Sequence, residues 1–164
     1  MLSLKPYISD IVLFLHPTFG VLGTMAALWV LVEALNPGVA SQHRMRVAAI
    51  AVPACFALAW IFGGYWYVNY YYADKALILG GPWPFAHDLF METKEHLFFI
   101  PAMLALYLPV VCARPLMSDR AARRMVVAVA GLIILNSLAI EGAGAVVNHG
   151  AKIAMSQVTK QGQE

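Results

Sequence analysis

The side chains in this chain that could do chemistry are its histidines and carboxylates, set sparsely in an apolar background. Glu92, Glu95 and His96 open the stretch METKEHLFFIPAMLALYLPVVCAR at 91–114. Read as a helix, it places Glu92 and His96 on one face at i and i+4, with Met103 two turns further along. The positive end of a helix disfavours an imidazolium, and a neutral imidazole is the form that binds a metal. A neighbouring carboxylate can orient such a ring from behind. His16 stands before Pro17, with Gly20, Gly23 and Ala27 at +4, +7 and +11. Such a stripe either brings helices close together or leaves a groove for a flat cofactor ligated by His16. Pro17 lacks the N–H that would bond the carbonyl of Leu13, so it kinks a helix or begins one. Glu141 shares a face with Gly144, Ala145 and Asn148, and His149 follows. An ionisable group so deep in an apolar segment is expected to face the interior and have a partner.

The expected cofactor site is therefore His16 and His96 as joint ligands, with Gly20, Gly23 and Glu141 beside them. His87 and His149 supply a second site or hold the cofactor's acidic groups. Glu92 and Glu141 complete the set if the cofactor is a bare metal ion, since mixed imidazole and carboxylate ligands suit iron, copper or zinc. No residue is assigned a catalytic role.

Positioning these groups requires helices that cross a bilayer. Of 164 residues, 61% are hydrophobic and 12% charged, against about 25% charged in a soluble domain. The mean hydropathy is +0.70. A chain this short cannot hide so much apolar surface in one aqueous core. Four stretches reach the ~20 residues needed to span hydrocarbon: 10–35, 47–71, 92–113 and 122–148. The expected fold is all-α, a four-transmembrane-helix bundle forming a single membrane domain over 1–164. The first stretch reads as a retained span and not a cleaved signal, with Lys5 its only early positive charge.

Between the second and third spans, 72–91 carries Gly80, Gly81, Pro82 and Pro84, which interrupt any continuous helix. Its Trp, Phe and Leu residues suggest a lid at the interface, next to the aromatic run YWYVNYYY at 65–72. Every arginine falls at 44–46 or 114–124. By the positive-inside rule that end faces the cytoplasm, which puts both termini outside. His16, His87, His96 and His149 then gather on the outer side, with Asp10, Asp74, Asp88, Glu92, Glu95, Glu141 and Glu164. Only His43 is left on the cytoplasmic face.

Several classes are excluded. Cys55 and Cys112 lie in apolar runs and give no disulfide framework, and the absence of Cys-x-x-Cys-His rules out covalent haem attachment. A net charge of +2 with scattered basic residues does not suit nucleic acid. There is no phosphate-binding loop and no nucleophile elbow.

His16-Pro17 in the first span, His96 at the third, and GAGAVVNHG at 142–150 closing the fourth resemble an uncharacterised family of bacterial four-span membrane proteins. The resemblance implies the fold and suggests haem or metal binding. In layout the chain is also similar to four-helix b-type cytochrome subunits, which hold haem between histidines of different spans. The expectation is a bacterial inner-membrane electron-transfer subunit, not a stand-alone enzyme, with one or two haem b groups near the periplasmic side. Its partners would be quinone or a periplasmic carrier, with other redox subunits. Two alternatives stand beside it: a non-haem iron, copper or zinc enzyme, and a structural subunit of a membrane complex.

Overall fold

A computed structural model describes residues 5–162, with side chains from Tyr7 onward. The described residues contain helices and no strand. Helix α1 runs Lys5–Leu35, α2 Val39–Asn69, α3 Tyr71–Gly80, α4 Glu92–Leu97, α5 Phe99–Cys112 and α6 Arg120–Gln161. A π-helical turn, Ala86–Met91, leads into α4. Four units are long and apolar enough to cross a membrane: Tyr7–Leu35, Val39–Asn69, Ala86–Cys112 and Arg120–Gln161. In lipid only internal hydrogen bonding satisfies the backbone, so an apolar segment of this length folds as helix. The four spans form a ring in which each touches its two neighbours, α1–α2–α5–α6 and back to α1.

Proline shapes three of them. Pro17 lies inside α1 and Pro53 inside α2, so Pro17 interrupts a helix already under way and does not begin one. The third span divides into α4 and α5 because Pro101 cannot donate to the carbonyl of Leu97; the ladder resumes with Ala102 N–H on Phe98 O at 3.1 Å. In the π-helical turn the Glu92 N–H reaches back to His87 O, a five-residue step that accommodates one extra residue. Asp119 caps α6 by accepting from Ala122 N–H at 2.9 Å. At 1.5 Å per residue the 42 residues of α6 span about 63 Å, well beyond a ~30 Å hydrocarbon core.

Two apolar cores stack along the bundle. The one toward the arginine-rich end is built of small and branched residues, among them Ala27, Val30, Ala49, Val52, Ala105, Leu108, Ala130 and Ile133. The other joins Tyr71, Ile78, Ala86, Met91 and Val147 beneath the lid. The lid is α3, a break at Gly81–Pro84 and the π-helical turn. Two glycine contacts seat it on α6: a Cβ at Gly81 would meet Ala154 Cβ at 2.7 Å, and one at Gly150 would meet Ala86 Cβ at 2.8 Å. At the opposite end Gln42 donates to the carbonyls of Cys112 and Arg114 and accepts from Leu116 N–H. Arg46 also donates to Cys112 and Ala113, so α2 side chains close the free carbonyl end of α5.

Candidate functional site

Between the two cores lies a cavity of about 350 Å³ that all four spans line. Five aromatic side chains stand in its wall: Trp60, Trp66 and Tyr67 from α2, Phe98 and Phe99 from the third span. Its polar groups are His16 from α1 and Lys94 and Glu95 from α4. Trp60, Val68 and Phe99 belong to this wall yet are largely exposed on the lipid-facing surface. The cavity therefore opens sideways, between α2 and the third span.

His16 is held in a defined tautomer. Its Nδ1 lies 2.8 Å from Ala59 O, and a carbonyl only accepts, so Nδ1 carries the proton. When the ring is neutral, Nε2 is left free as an acceptor. The ring packs flat against α2 because Gly63 has no side chain: a Cβ there would meet His16 Nδ1 at 2.5 Å and Cε1 at 2.7 Å.

Lys94 reaches across the bundle to α6, where a Cβ on Gly144 would sit 3.7 Å from its Nζ. It lies in the field of Glu141 and Glu95, although neither carboxylate forms an ion pair with it within 4.0 Å. Glu95 Oε1 is buried without a hydrogen-bond partner. A buried acceptor left unpaired costs about 1–3 kcal/mol, so a group in the cavity that donates to it would be stabilised there.

A second polar group lies under the lid. The π-helical turn points His87 inward, where only 3% of it is exposed. Its Nδ1 is 3.0 Å from the Tyr71 hydroxyl, and its Nε2 is 3.7 Å from Glu92 Oε1. Burial pushes the Tyr71 phenol well above its ordinary pKa, with Tyr67, Glu95, Asp74 and Glu92 adding to the effect. The phenol therefore keeps its proton and can donate to Nδ1 when the His87 proton is on Nε2, the nitrogen that faces Glu92. Tyr71 is also stacked on Tyr67, ring centroids 5.1 Å apart, and so connects the lid to the cavity wall.

The residues singled out in the sequence do not converge on one centre. His96 is exposed, its Nδ1 bonded to Glu92 O of its own helix at 2.7 Å. Two residues turn a helix by about 200°, so with Lys94 in the cavity His96 faces away from His16. His149 is exposed and packs edge-on to Trp83. The small-residue groove of α1 is filled by protein: a Cβ on Gly23 would meet the Phe56 ring at 2.6 Å, and one on Gly20 would meet Glu141 Oε1 at 2.8 Å. It leaves no slot for a flat cofactor. Among the described residues no three His, Cys, Asp or Glu side chains are grouped to hold a metal ion, His16, His96, Glu92 and Glu141 included.

Lys94 and Trp60 belong to no motif in the sequence, Trp66 and Tyr67 fall in the aromatic run at 65–72 that reads as an interface belt, and Glu95 stands out only as a neighbour of His96. A signal for them exists. Met91, Pro101, Ala105, Leu108 and Cys112 are buried and recur at alternating three- and four-residue steps once 94 and 98 are included. That phase turns Lys94 inward and Met103, 67% exposed, outward.

No protein-family model, curated protein or solved structure matches the chain.

Proposed function

We propose that this protein is an integral-membrane redox subunit that takes a quinone-class molecule from the bilayer into the aromatic cavity. One observation carries the reading: a cavity open to lipid holds a free imidazole nitrogen, an ammonium and an unpaired carboxylate oxygen among aromatic side chains. A quinol is a flat ring bearing two hydroxyl groups on an apolar tail. His16 Nε2 and Glu95 would accept its two O–H bonds, Lys94 would donate to a ring oxygen, and Trp60, Trp66 and Phe98 would flank the ring. The sideways opening suits a ligand that never leaves the membrane. On the topology argued from the arginines, the cavity lies in the periplasmic half of the bilayer, and electrons would pass to a partner subunit or periplasmic carrier.

Trp60 and Trp66 supply the test. Decylubiquinone added to the protein in mild detergent should quench tryptophan fluorescence saturably, and His16→Ala or Lys94→Ala should weaken the affinity roughly tenfold, the loss of one hydrogen bond to a charged or polar partner. Quenching that never saturates, and is the same in both variants, would sink the proposal.

A second reading rests on the same free Nε2, which is what a haem iron needs of an axial histidine with Nδ1 tied to a carbonyl. The bis-histidine arrangement does not fit, because His96 faces away. Haem held by His16 alone would keep an open coordination position. It predicts a high-spin b-type spectrum, lost in His16→Ala; a reduced-minus-oxidised spectrum without haem bands, from protein made with haem supplied, rejects it.

A further inference from the structure

Oxidising a bound quinol releases protons in a cavity lined by aromatic side chains, and His87 lies just outside that cavity, under the lid. His87 is buried there with its Nδ1 bonded to the Tyr71 hydroxyl at 3.0 Å and its Nε2 facing Glu92 Oε1 at 3.7 Å, just beyond hydrogen-bond reach. Glu92 is exposed at the lid end. Tyr71 stacks on Tyr67, which lines the cavity with Glu95, and the Glu95 charge reaches both phenols. The side chains thus run from the aqueous edge toward a buried carboxylate oxygen that, among the described residues, lacks a partner. A π-helical turn, a feature that recurs at functional positions, sets His87 in this line.

We propose that Glu92, His87 and Tyr71 form the proton route between the lid-end surface and Glu95 in the cavity. The proposal rests on the quinone reading above. In the step it serves, the bound quinol loses both O–H hydrogens and its ring becomes a quinone with two C=O bonds. Two electrons leave one at a time to a one-electron carrier of a partner protein. One proton goes to His16 Nε2 and one to Glu95. From Glu95 a proton passes by the Tyr67 and Tyr71 hydroxyls to His87 Nδ1, as the Nε2 proton passes to Glu92 and out. Imidazole suits this position because it accepts at one nitrogen while releasing at the other.

The experiment uses the full chain in detergent with decylubiquinol bound and ferricyanide as the electron acceptor, followed by stopped-flow absorbance. His87→Ala and Tyr71→Phe should oxidise the bound quinol roughly 10²-fold more slowly than wild type, with decylubiquinol affinity unchanged. Added imidazole should restore the rate of His87→Ala, a rescue that a purely structural histidine would not show. Tyr71→Phe keeps the ring stack and removes only the hydroxyl, so it reports even if His87→Ala folds poorly. Wild-type rates in Tyr71→Phe, or a slow His87→Ala that imidazole leaves slow, overturn the route while the cavity reading stands. Failure of wild type to bind decylubiquinol overturns the cavity reading first, and the route with it.

Discussion

Replacing Gly63 with alanine tests whether His16 is held where the cavity needs it. The added Cβ would fall 2.5 Å from His16 Nδ1 and 3.2 Å from Cγ, and the ring is pinned by its hydrogen bond to Ala59. Two responses are open. If the ring stays, overpacking costs about 1–3 kcal/mol. If it swings out, the bond to Ala59 goes, at about 1 kcal/mol. Exchanging glycine for alanine inside a helix returns about 1 kcal/mol. The variant with a swung ring is thus close to wild type in stability and has lost its imidazole from the cavity. Quinone affinity should fall roughly tenfold, the equivalent of about 1.4 kcal/mol, while the thermal midpoint moves little. The assay is decylubiquinone quenching of tryptophan beside unfolding followed by circular dichroism. Gly131→Ala is the control, since a Cβ there meets nothing within 4 Å; it should bind as wild type does. Wild-type affinity in Gly63→Ala would refute the argument that this contact places His16.

Gly23→Ala drives a methyl into the Phe56 ring, which is only 5% exposed; it should destabilise by about 1–3 kcal/mol, and an unchanged thermal midpoint would count against the packing described. Gln42→Ala removes two bonds to the end of α5 and leaves Leu116 N–H without its acceptor. A loss of about 2 kcal/mol is expected, read as earlier unfolding. Burial holds the Asp74 carboxyl above its ordinary value of 3.8. The folded state therefore binds this proton more tightly than the unfolded one. It is favoured below pH 3.8, and the advantage is lost as the pH rises through the raised value. Asp74→Asn should accordingly raise the thermal midpoint at neutral pH and not in acid; a lowered midpoint at neutral pH would contradict the burial argument.

The four spans were legible because lipid permits little else to an apolar stretch of that length, and the helix break at Gly81–Pro84 was legible from residue type. The ends of α6 were harder to read. Its last turns, past Asn148, are polar enough to look like a tail, yet Ala151 and Ala154 pack against the lid, so tertiary contact extends the helix. The site was half legible. His16 could be found because a histidine followed by small residues on an intramembrane helix is rare. That His96 turns away from His16 was not legible, because i, i+4 spacing shows which residues share a face and not which face turns inward. That rotation is fixed by the small and apolar residues lower on the same span, Pro101, Ala105 and Cys112.

The one-residue excess in the turn Ala86–Met91 acts on the third span as a vernier. Were the same residues wound as an ordinary α-helix without the wider turn, the chain could not keep both of its fixtures: with His87 docked on Tyr71, everything after the turn would rotate by about 100° and slide about 1.5 Å. Lys94 and Glu95 would then swing out of the cavity. The compartment under the lid and the compartment in the bundle thus keep their alignment because one wider turn absorbs a surplus amino acid.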